Sequence, residues 1–197
     1  MQGGCSPDWE RCARAPTRLI LAVVVWLPWI ATAHGAGREP TEYEVKSAFL
    51  FHFARLVAWP GWPSPSDPGE AFEIALVGGD PFGDALESTI GESQVQGRPI
   101  RIRRVPSVAA LPRLPQLLFV GDADEAAARR ALAAVRGHPV LTVGEASGFA
   151  QRGGMIGFRL TPDGRVTFDV NLARAEESGL RISSQLLRVA RVVEARP

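Results

Sequence analysis

Six residues near the C-terminus have the types and spacing to hold an anion. Arg181 precedes Ser183 and Ser184 at the start of a helix, Arg188 follows one turn on, and Asn171 and Arg174 lie nearby in sequence. Together they offer amide donors, hydroxyls and guanidinium groups. The competing reading has the serines capping the helix and the arginines facing water.

Catalytic groups are scarce. The histidines are His34, His52 and His138. His52 sits among phenylalanines and reads as a packing residue, and His138 stands before a proline where a strand begins. No serine occupies a Gly-x-Ser-x-Gly elbow, and both cysteines, Cys5 and Cys12, precede an N-terminal apolar run. Covalent hydrolysis is not expected, and the chain reads as a binding protein with no catalytic residues, no cofactor and no metal. A histidine terminus at His34 would chelate copper only with a second histidine and a β-sandwich, so the plain reading is a frayed end.

Gly78-Gly79-Asp80-Pro81-Phe82-Gly83 lies between a strand and a helix, where phosphate loops occur. It lacks both the Gly-x-Gly-x-x-Gly spacing and a following Lys-Ser or Lys-Thr, so a tight turn is expected. Asp122, Asp124 and Glu125 read as a helix cap and first-turn acids rather than cation ligands. Glu176 and Glu177 read as a solvated helix end. Arg98, Arg101, Arg103 and Arg104 read as the wet face of one strand. Trp59 and Trp62, in a proline-rich loop beside an apolar helix, are candidate partner contacts, with Trp59 turned inward and Trp62 outward.

These residues need a scaffold. Residues 1–33 read as a secretory signal peptide: Arg11, Arg14 and Arg18 give a positive flank, Leu19 to Ile30 is apolar apart from Pro28, and Ala31-Thr32-Ala33 supplies a cleavage pattern. The apolar run is shorter than the roughly 20 residues a spanning helix needs. Cleavage after Ala33 leaves a flexible stretch over 34–40 and one domain over 41–197, and it removes both cysteines. A mature chain of roughly 160 residues buries enough apolar surface without disulfides. The net charge is +1 and Lys46 is the sole lysine, which argues against a nucleic-acid binder.

Thr41 and Glu44 have capping-box spacing, and Val45, Ala48, Phe49, His52, Phe53, Leu56 and Val57 then recur at helical intervals. Strands are expected at 72–78, 99–105, 117–120, 140–143, 155–160 and 166–170, with helices at 82–90, 125–136 and 171–177 and a last one after Ser183 or Ser184. Asp163-Gly164 marks a hairpin between the last two strands. Helices between early strands and a hairpin late predict an α/β domain, a mixed central sheet with helices on both faces.

The stretch Glu42-Tyr43-Glu44-Val45-Lys46-Ser47-Ala48-Phe49-Leu50-Phe51-His52-Phe53-Ala54-Arg55, running on to Trp59-Pro60, resembles the opening motif of the YfiR family of small periplasmic proteins. Val140-Leu141-Thr142-Val143-Gly144-Glu145, Phe149, Gly153-Gly154-Met155-Ile156 and Gly179-Leu180-Arg181-Ile182-Ser183-Ser184-Gln185-Leu186-Leu187 match later blocks in order. The resemblance implies a periplasmic regulator that binds the sensor region of an inner-membrane diguanylate cyclase and holds it inactive, so limiting cyclic di-GMP and biofilm formation. It also implies dimers and small-molecule binding, while the C-terminal residues described above suit a small anion. The family's studied repressor relies on disulfides, which a mature chain without cysteine cannot form. The alternative is a periplasmic binding protein for nucleotides or carboxylates with no membrane enzyme as partner.

Overall fold

In the computed structural model, which describes residues 39–64, 67, 69–121 and 124–194, Thr41 starts the first helix. Its hydroxyl accepts from the Glu44 amide at 3.3 Å, and its own amide donates to the Glu44 carboxylate at 2.7 Å, the reciprocal capping box that the spacing predicts. The expected leader, His34 and Asp122 lie outside the described residues.

The elements run α1 (Glu42–Leu56), β1 (Val57–Ala58), β2 (Phe72–Val77), α2 (Ala85–Ile90), β3 (Gln94–Val95), β4 (Arg98–Val105), a 3-10 turn (Val108–Ala110), β5 (Leu117–Val120) and α3 (Glu125–Ala134). β6 (Leu141–Gly144), β7 (Ile156–Leu160), β8 (Val166–Val170), α4 (Leu172–Glu177), β9 (Arg181–Ile182), α5 (Ser184–Leu187) and β10 (Arg191–Val192) follow among the described residues. Eight strands form one sheet in the order β10-β8-β7-β6-β5-β2-β4-β3, parallel from β4 through β7 and antiparallel at the β7–β8 hairpin. β1 and β9 form a separate two-stranded ladder.

Residues 72–77 are buried throughout, as a central parallel strand covered on both sides requires. Their period of two divides the core. Phe72, Ile74 and Leu76 face the layer holding Leu50 and Phe53 of α1, Leu86 and Ile90 of α2, Ala175 of α4 and Leu186 of α5. Ala75 and Val77 face the layer of Ala131 from α3 and Val135, the residue that ends it. The α/β architecture with helices on both faces is therefore observed as the sequence predicts.

Two local expectations are corrected. The buried face of α1 is Lys46, Ser47, Leu50, Phe53 and Ala54. Of the residues that recur at helical intervals, Phe53 and Val57 are buried, while Val45, Ala48, Phe49 and Leu56 are half-buried and His52 is exposed. The helix is apolar on two sides, and periodicity alone does not say which side meets the sheet. The four arginines of β4 also do not share a face. Arg101 and Arg103 reach Glu73, each at 3.4 Å, whereas Arg104 turns the other way to Asp80, Glu87 and the Gly83 carbonyl.

Glu73 is buried among Arg101, Arg103 and Arg113. Burial pushes its carboxyl up, but hydrogen bonding and charge from Arg113 and Arg103 outweigh burial and hold it below the ordinary range. A depressed carboxyl stabilises the fold fully above its unfolded value of about 4.3, and that contribution is lost as pH falls through the lower folded value. Glu73→Gln is therefore expected to flatten the acid limb of a thermal-melting profile below about pH 4.3 relative to the unaltered protein. An unchanged acid limb would mean that other carboxylates set it.

Candidate functional site

A large groove lies against α1. Pro40, Glu44, Val45, Ala48, Phe49 and His52 form one wall and Ser88 and Thr89 of α2 the other, enclosing about 570 Å³. This is the second apolar side of the helix, the one that the sheet does not cover. The Phe49 ring closes its floor, 5.3 Å from Phe168, 6.1 Å from Phe53 and 6.2 Å from Phe158. A groove of this size, lined by side chains on two helices, has the shape and polarity of a ligand or peptide seat.

On the buried side of α1, Lys46 is only 4% exposed. Its ammonium contacts Glu42 at 2.5 Å and Glu145, at the end of β6, at 2.6 Å. The Tyr43 ring lies 4.6 Å away. Lys46 thus ties the helix to the loop leaving the sheet's C-terminal edge.

Trp59 is inside, as expected. Its indole N–H donates to the Gln116 carbonyl at 2.9 Å, and its ring lies 4.9 Å edge-on to Phe72. Trp62 is not in solvent: it is 8% exposed, 5.1 Å from Phe72 and 6.4 Å from Trp59. The tight turn through Gly61 folds both indoles onto the same core ring, so truncating Trp62 would test packing rather than partner contact. Its indole N–H is buried without an acceptor among the described residues.

The C-terminal anion constellation divides. Asn171 is buried, donating to the Ala150 carbonyl at 3.0 Å and accepting from the Arg174 amide at 3.0 Å, so it caps α4 and pins the preceding loop. Asn171 and Arg174 line a cleft of about 360 Å³ with Arg136, Gln151, Arg152, Gly153, Ala173 and Glu177. Arg181, Ser183, Ser184 and Arg188 are not part of that lining. Arg181 is exposed on β9 against β1, Ser183 accepts from the Gln185 amide as the cap of α5, and Ser184 and Arg188 are exposed.

Sequence reasoning missed Arg136 and Arg152. They follow α3 and β6, 35 and 19 positions before Asn171, and only the sheet order brings them together. The Gly78–Gly83 stretch is a turn as expected. A Cβ at Gly121 would fall 2.0 Å from the Gly79 carbonyl, so backbone fills the space beside it. His138 is exposed. Among the described residues, no group of three or more His, Cys, Asp and Glu is placed to hold a metal, and no helix is long and apolar enough to cross a membrane.

A family model described as YfiR/HmsC-like matches residues 43–191, well over half of the chain, and the chain belongs to that family.

Proposed function

We propose that this member of the YfiR/HmsC-like family is a periplasmic regulator that binds the periplasmic sensor region of an inner-membrane diguanylate cyclase and holds the enzyme inactive. The family is periplasmic and regulatory rather than catalytic. The observation that carries the reading to this chain is the open apolar groove on α1, which is built from the stretch that bears the family's opening motif. An apolar wall on a helix already fixed to the core is preorganised, so a partner segment ordering against it meets little conformational cost on this side. Export by the leader over 1–33 places the domain on the partner's side of the membrane.

Tagged protein is expected to capture an integral membrane diguanylate cyclase from solubilised inner membranes. Ala48→Glu sets a charge in the groove at a half-buried helix position where glutamate is a good helix former. It is expected to weaken capture at least tenfold while leaving the melting temperature nearly unchanged. Capture at full strength by Ala48→Glu would move the contact elsewhere. If no membrane protein is captured at all, the alternative of a periplasmic small-molecule binding protein is favoured.

A further inference from the structure

We infer that the cleft between the end of α3, the β6–β7 loop and α4 is a binding site for a small organic dianion, a phosphate monoester or dicarboxylate. Three arginines, Arg136, Arg152 and Arg174, line it with the single acidic residue Glu177, and Arg152 also borders the neighbouring cleft of Glu125 and Arg129. Arg174 pairs with Glu177 at 2.7 Å. Arg136 and Arg152 have no carboxylate partner among the described residues, so the wall carries a net charge of two positive units when Glu177 is ionised. In a concave site such an excess raises the local potential and draws in a counter-charge of matching size.

The supports of the cleft are fixed. Asn171 is held at both ends of its amide, and Gly153 turns the chain at φ 97°, a conformation that favours glycine. A Cβ at Gly148 would come within 3.3 Å of an Arg152 terminal nitrogen and 3.5 Å of Gln151 Oε1, so both side chains pack close to that glycine. Gln151 directs its amide N–H towards Asp169 at 3.4 Å, while its Oε1 is buried with no donor among the described residues. The volume of about 360 Å³ exceeds what inorganic phosphate fills and falls within the range of small-ligand sites. The ligand is accordingly an oxyanion head on the arginines, joined to a short body.

Calorimetric titration of the purified protein with inorganic phosphate, succinate and acetate at constant ionic strength tests the site, independently of membrane capture. Saturable heat is expected with phosphate or succinate, with acetate at least tenfold weaker, and the tighter probe names the head group. Arg136→Ala and Arg152→Ala are each expected to weaken binding at least tenfold with unaltered melting. Arg165→Ala, at the exposed hairpin tip, should leave it unchanged. Glu177→Gln removes the opposing charge and is expected to tighten binding several-fold. Equal heats with acetate, full affinity in both arginine variants, weaker binding by Glu177→Gln, or no saturation would each overturn the assignment.

Discussion

Replacing Lys46 with alanine is expected to destabilise the protein by about 3 kcal/mol, seen as a fall in the urea midpoint, because it strands two carboxylates beside a buried helix face. Glu145 is 17% and Glu42 35% exposed, so water recovers part of their solvation. This keeps the cost near the lower end for breaking a buried pair. Lys46→Met retains most of the apolar stem and separates packing from charge. If the methionine variant is as stable as the unaltered protein, the ion pairs contribute nothing and the stem alone matters. Adding Glu145→Gln to Lys46→Met should recover about 1 kcal/mol or more, since the two residues share one interaction.

The pH dependence of that loss has a fixed sign. Burial pulls the Lys46 ammonium down, but hydrogen bonding and charge from Glu145 and Glu42 outweigh it and hold the group above the ordinary lysine value. A raised cationic group stabilises the fold fully below its unfolded value of about 10.4, and the contribution is lost only as pH rises through the higher folded value. The deficit of Lys46→Met relative to the unaltered protein should therefore be flat through neutral pH and narrow only in strong alkali.

Lys46 also marks the limit of what the sequence shows. The capping box at Thr41 and Glu44, the uniformly buried strand at 117–120, and the Asp163-Gly164 hairpin that leads into the strand at 166–170 were legible because each rests on contacts within a few residues or on a run of uniform burial. The direction of α1 was not. Its apolar residues cover two sides, one for the sheet and one for the groove, and a lone lysine on the buried side is paired by Glu145, 99 residues away. β1 and β9 pair over two residues each, too short for a period to show. The anion cleft was half legible: Asn171 and Arg174 announce a helix start with a basic neighbour, but Arg136 and Arg152 join them only through the adjacency of β6, β7 and β8.

The position of Arg152 depends on a steric clamp three residues upstream, and breaking that clamp is the second large effect expected. Phe149 is buried against the α3 layer with glycines on both edges of its ring. A Cβ at Gly144 would lie 2.6 Å from Phe149 Cδ2, and one at Gly154 would lie 2.2 Å from Cε1. The ring cannot retreat from one glycine without striking the backbone of the other. Gly154→Ala is therefore expected to destabilise by about 3 kcal/mol, at the upper end for overpacking a core. Gly154 is not at positive φ, so the cost is steric and should respond to the ring. Phe149→Leu, destabilising alone, should be stabilising when added to Gly154→Ala, a reversal of sign that backbone strain at Gly154 would not produce. Because Gln151 and Arg152 sit between Phe149 and Gly154, the alanine variant should also weaken anion binding, and Phe149→Leu should restore part of both. Restored stability without restored binding would show that the loop's conformation, and not merely its attachment to the core, is set by the aromatic ring.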